Sequence, residues 1–242
     1  RVTLQGQSEG CGIILVHMVS PGSRGLFQRA AMHSPVADFW SRSANRDRTN
    51  FIVKRADCAR KKVWSTVRCL KRKNDADGLW HQDWVSEELS RNIGTPMWTR
   101  NLMGLFKFTL GAKDKEEVIG ELGWHATVDG TNVPAEPREL VRQGKFNRIP
   151  VLITVSKNES YGAVPGGQTG TCYLGLGRLL DNDEDRVKAL YNKSLADQGI
   201  RVPTEQDLVN QMLTDKLWTC DARALAEDIT AGGGRAHLGM FW

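Results

Sequence analysis

At 242 residues, 40% of them hydrophobic, the chain is long enough to bury a substantial core, as one large α/β domain or as two smaller ones. No stretch is apolar enough over sufficient length to span a bilayer, and the cysteines at positions 11, 58, 69, 172 and 220 lack the CxxC or His/Cys spacing of structural zinc, so neither a membrane span nor a metal is expected. The net charge of +5 is concentrated: residues 46–73 hold eleven Lys or Arg against Asp47 and Asp57, which leaves the remainder slightly acidic.

In chain order, a β-favouring run at Val2 to Leu4 leads into Gly6-Gln7-Ser8-Glu9-Gly10, and the apolar run Ile13 to Val19 follows directly. The pattern predicts strand, tight turn and helix with Ser8 at the tip. Glycines two residues to either side of the serine remove Cβ atoms that would obstruct the reversal from sheet into helix. Backbone N–H groups at the start of that helix, with Glu9 first among them, would meet an oxyanion formed at the serine.

G-x-S-x-G alone is a weak signal, because glycine and serine are common in loops. The segment that follows it is more specific: Ser20-Pro21-Gly22-Ser23-Arg24-Gly25-Leu26-Phe27-Gln28-Arg29-Ala30, continuing to Met32-His33-Ser34. In content and in distance from the elbow it resembles the segment after the catalytic serine of the type-B carboxylesterase and cholinesterase family. The resemblance implies an α/β-hydrolase fold, incomplete at both ends, with residues 1–242 forming the middle of a carboxylesterase domain. It makes Ser8 the nucleophile and implies strands ahead of Arg1, so the lack of a leader says nothing about secretion.

The basic stretch carries two readings, a polyanion site or a solvated face. No nucleic-acid motif accompanies the charges, and no nucleic-acid partner is expected. Cys58 and Cys69, eleven apart within it, resemble the short disulfide loop of cholinesterases, which implies that they pair and that the protein is secreted or lies in the secretory lumen; reduced, buried thiols are the alternative. Cys220 resembles the family cysteine bonded to a partner near the far C-terminus. Trp40 falls where the family places an acyl-pocket tryptophan, though a large aromatic also serves as plain core. Residues 74–100, polar and rich in tryptophan, read as an insertion.

Lys113 to Leu122 reads as an amphipathic helix. Gly123-Trp124-His125-Ala126-Thr127-Val128-Asp129-Gly130 resembles the stretch ahead of the acid-bearing strand, with Trp124 where cholinesterases vary their acyl pocket. The apolar run Ile149 to Val155 has the composition of a buried parallel strand. At its carboxyl end Ser156-Lys157-Asn158-Glu159-Ser160-Tyr161 resembles the family turn that carries the triad acid, which assigns that role to Glu159. Helices are expected from Asp183 to Asp197 and after a Thr204 cap, the latter with an apolar stripe of Val209, Met212, Leu213, Leu217 and Cys220 and ended by Gly232-Gly233-Gly234. Ala236 to Trp242 reads as the next core strand.

The resemblance thus implies a serine hydrolase that cleaves small-molecule carboxylic esters through an acyl-enzyme, with no cofactor. None of His17, His33, His81, His125 or His237 has the context of the triad histidine, which is expected after Trp242. Gln7 and Glu9 depart from the family's usual Glu and Ala. A Glu9 carboxylate turned toward the oxyanion at 4 Å would cost roughly 4 kcal/mol at an effective dielectric of about 20, about a thousandfold in rate. The alternative function is a cholinesterase-like adhesion or binding domain that has lost catalysis.

Overall fold

The computed structural model describes residues 1–35, 39–73, 126–161, 184–199 and 204–241. The chain forms two compact units, one from residues 1–39 and 125–242, the other from residues 40–124. The expected insertion at 74–100, the helix at 113–122 and the residues Trp124 and His125 lie outside the described residues.

The first unit is built on a parallel sheet. Strands β1 (Thr3–Gln7), β2 (Arg29–His33), β5 (Pro150–Ser156) and β6 (Arg235–Phe241) lie side by side in that order. Leu4 is aligned with Ala30, Met32 with Ile153, and Ile153 with Leu238. Because side chains alternate along a strand, Ala30, Met32, Val151, Ile153 and Val155 share one face and are buried. Helix α1 (Glu9–Val19) meets that face through Cys11, Ile14, Leu15 and Met18, the i, i+3, i+4, i+7 stripe of an amphipathic helix. Helix α7 (Cys220–Ala231) adds Ala222, Leu225 and Ile229 to the same cluster.

The short helix α4 (Pro137–Arg142) completes this layer, with Pro137 at its first turn, Glu136 capping the Glu139 N–H, and Leu140 and Val141 in the core. Arg138 reaches across to Asp221 and Asp228 of α7, and Arg142 adds a second bond to Asp228 at 3.0 Å. Ahead of α4, strand β4 (Ala126–Val128) ends in a turn at Asp129, whose Oδ1 accepts from the N–H groups of Thr131 and Val133. Bonds from Val133 and then Thr131 hold that carboxyl below its ordinary pKa.

Helix α5 (Glu184–Asp197) occupies the expected range. Helix α6 (Glu205–Thr214) begins at a capping box in which Thr204 Oγ1 accepts from the Asp207 N–H and the Asp207 carboxylate accepts from the Thr204 N–H. The expected apolar stripe needs correction at its end. Val209, Met212 and Leu213 are buried, but a π turn over Asp215–Thr219 follows, Leu217 is half-buried and Cys220 is exposed. A π turn adds a residue to one turn, so the apolar phase set by α6 does not carry through it. Gly232 ends α7 as expected. β6 starts one residue before the expected Ala236, with Trp242 outside the described residues, and Leu238, Met240 and Phe241 are exposed rather than core.

The second unit holds helices α2 (Arg42–Arg55) and α3 (Val63–Arg72), with strand β3 (Phe39–Ser41) running into it. Cys58 and Cys69 form a disulfide with Cα atoms 5.5 Å apart, as the resemblance implied. Among the described residues no helix is long and apolar enough to cross a membrane.

Candidate active site

Ser8 stands between the last residue of β1 and the first of α1, at φ 56° and ψ −123°. A side chain in that region costs of order 1–3 kcal/mol and persists only where its surroundings impose it. Two bonds do so here. The Ser8 N–H donates to the His33 carbonyl at the end of β2 (3.0 Å), and the Ser8 carbonyl accepts from the Cys11 N–H in the first turn of α1 (2.9 Å).

The two flanking glycines have different reasons to be there. A Cβ on Gly6 would lie 2.5 Å from the Gly10 carbonyl oxygen, so glycine is required for the chain to double back. A Cβ on Gly10 would meet no heavy atom of a neighbouring segment within 4 Å, which corrects the expectation that both positions are sterically closed. Glu9, the first residue of α1, is half-buried. Cys11 lies beneath the turn, its thiol 3.3 Å from the Gly6 carbonyl and 3.4 Å from that of His33. Burial pushes its pKa up to about 11, so at neutral pH it is a protonated core side chain rather than a second nucleophile.

Glu159 lies in the turn after β5, two strands from β1 in the same sheet. Its Oε1 accepts from the Ser156 N–H (2.6 Å) and from the Ser34 hydroxyl (2.5 Å). Ser34 follows β2, takes φ 49°, and donates its own N–H to the Thr154 carbonyl at 2.6 Å. Ser8, Ser34 and Glu159 therefore follow the carboxyl ends of three neighbouring strands, where ligand sites of open parallel sheets gather. The Glu159 turn is tied down twice more. Lys157 N–H donates to the Phe241 carbonyl on β6 (2.8 Å), and buried Ser160 N–H donates to Thr214 Oγ1 on α6 (3.1 Å).

The roles of Ser34 and Thr214 were not foreseen. Both contacts join residues remote in sequence, Ser34 to Glu159 and Thr214 to Ser160, which only the fold brings together. Trp40 is buried in β3, and Trp124 lies outside the described residues. His17 pairs its Nδ1 with Ser23 Oγ, and His33 pairs Nδ1 with Thr154 Oγ1 and Nε2 with Gln5, so both have structural partners. His237 projects from β6 level with Leu152. Among the described residues no group of His, Cys, Asp or Glu could hold a metal ion.

A serine on a strained strand-to-helix turn, with a carboxylate fixed beyond a nearby strand of the same parallel sheet, defines the α/β-hydrolase class of site. The model of the Carboxylesterase family matches residues 1–241, and the chain belongs to that family. Individual relatives agree. The chain is 28% identical over 168 residues to the acylcarnitine hydrolase of Mus musculus, covering 68% of this chain and 23% of that protein. It is 26% identical over 225 residues to Esterase E4 of Myzus persicae, covering 89% of this chain and 34% of that protein. A shorter match to the juvenile hormone esterase of Tribolium castaneum reaches 52% identity over 46 residues. The chain thus spans about a third or less of the length of these relatives.

Proposed function

We propose that the chain is the nucleophile-bearing part of a serine esterase that hydrolyses small-molecule carboxylic esters through an acyl-enzyme. The observation that carries this reading is the strained φ of Ser8 held by two backbone bonds, on the same sheet end as a Glu159 carboxylate fixed by two donors. Strain of this kind is retained where it positions a group for chemistry.

In this mechanism Ser8 Oγ attacks the ester carbonyl while its proton passes to a histidine supplied by the remainder of the domain. Backbone N–H groups at the start of α1, led by that of Glu9, stabilise the oxyanion, aided by the positive end of the helix. The alcohol leaves with the proton, and water then releases the acid by the same route. Glu159 turns its second oxygen, Oε2, to the histidine and stabilises the imidazolium. Ser34 acts as a positioning residue, because its hydroxyl and the Ser156 N–H both grip Oε1 and so fix which oxygen remains. The Cys58–Cys69 disulfide favours an oxidising compartment, and we place the protein in the secretory pathway or outside the cell.

The test is a fluorophosphonate probe applied to the intact protein. Peptide mapping should find the adduct on Ser8 and not on Ser20, Ser23 or Ser34. Labelling elsewhere, or none, would support the non-catalytic binding domain instead.

A further inference from the structure

The helix α3 presents an unusual outer arc. At 100° per residue, Ser65, Thr66, Cys69 and Leu70 occupy one side of the helix and are half-buried, whereas Val63, Trp64, Val67, Arg68, Lys71 and Arg72 occupy the other and are exposed. Val63 is 80% exposed, Trp64 55% and Val67 43%. The indole of Trp64 has two cations near its ring, the Arg68 guanidinium 4.7 Å and the Lys62 ammonium 6.0 Å from its centroid. Arg60, Lys61 and Lys62, exposed in the loop before the helix, extend the positive field. Among the described residues no carboxylate forms an ion pair with Lys61, Lys62, Arg68, Lys71 or Arg72.

We propose that this arc is a peripheral docking site for an anionic lipid surface. Cations alone would suit any polyanion, and the lipid is singled out by the apolar members of the arc. Val63 and Val67 gain nothing from a sulfated polysaccharide or a nucleic-acid backbone, both of which leave them in water. Against a bilayer they enter the region between headgroups and acyl chains, while Lys71 and Arg72 reach the lipid phosphates. Tryptophan prefers that same boundary, because its ring is apolar and its N–H needs a wet partner. The Cys58–Cys69 bridge joins the inward side of α3 to a buried cysteine and fixes the outer arc before contact, so little ordering entropy is lost on docking. The site lies apart from Ser8 in sequence and does not depend on the esterase reading.

Co-sedimentation of the intact protein with phosphatidylcholine vesicles, with and without phosphatidylserine, tests it. Binding is expected only when phosphatidylserine is present, and should fall as salt screens the charges. Trp64→Ser should weaken vesicle binding about tenfold while leaving retention on a heparin column unchanged. The triple change of Arg68, Lys71 and Arg72 to Gln should weaken both, and ester turnover and the thermal melt of each variant should match the parent. Retention on heparin without vesicle binding, or vesicle binding indifferent to Trp64→Ser, would overturn the proposal.

Discussion

Gly6 and Ser34 are small residues for opposite reasons, and the difference decides what their substitution should do. Gly6 is small because the Gly10 carbonyl leaves no room for a Cβ. At Ser34 what matters is its hydroxyl on Glu159 together with its positive φ. Ser34→Gly adopts that positive φ readily and removes the hydroxymethyl side chain, and with it the bond to Glu159. It should lower kcat on an aryl ester by about tenfold, the equivalent of one charge-assisted hydrogen bond of about 1.4 kcal/mol, and shift the acidic limb of the pH profile of kcat/KM. A loss of activity with an unaltered profile would make Ser34 merely structural.

Glu9 raises a separate question, since it lies in the first turn of α1, where the proposed mechanism forms the oxyanion. The residue is half-buried although its Oε1 is shielded from water, so only part of the like-charge penalty is screened. Glu9→Ala should therefore raise kcat by about tenfold rather than a thousandfold, with KM nearly constant because the repulsion exists only in the transition state. Equal rates would mean that the carboxylate is directed away from the oxyanion. The turns that carry Ser8 and Glu159 were legible in the sequence because each sits in a local motif beside an apolar run. Ser34 was not, because its bond to Glu159 spans 125 residues and only the sheet brings the two together.

Among the elements, those with strong local signals fell where the sequence placed them. The alternation of apolar and turn residues set β1, α1 and β5, and Thr204 with Asp207 set the start of α6. The misreading at Leu217 and Cys220 arose because a π turn has no signature in composition. It shifts the helical phase by a residue, and an apolar stripe extended at constant period then points the wrong way. The Cys58–Cys69 pair was recoverable only through resemblance, since spacing alone never fixes connectivity. By the chain-entropy model a loop of 11 residues contributes about 2.8 kcal/mol. Replacing both cysteines by serine should lower the melting temperature of protein expressed through a secretory pathway, and mass spectrometry without reductant should find the bridge in the parent. Two free thiols in protein from a secretory pathway would rule it out.

At the scale of the whole molecule, the sheet has one face that is well covered over β2 and β5 but leaves Leu238 and Met240 of β6 exposed. The opposite face carries Leu152, 43% exposed, and Phe241, 63% exposed, beside Gln5 and His237. Among the described residues β1 has a strand partner on one side only. The relatives that match are about three to four times longer than their matched segments, and in such proteins a sheet of this kind would be covered on both faces. We therefore predict that these 242 residues, expressed alone, neither melt cooperatively nor hydrolyse esters. Orphaned backbone groups cost roughly 1 to 3 kcal/mol each when they cannot find a partner, and several of them outweigh a domain margin of about 5 to 15 kcal/mol. Catalysis should fail independently of folding, because His17 and His33 are bound to structural partners and losing a triad base costs several orders of magnitude. The comparison is between this segment and a longer product of the same gene, by thermal melting and aryl-ester turnover. A sharp melt with turnover from the short segment would mean that one of its own histidines completes the site, and His125 would be the first to replace.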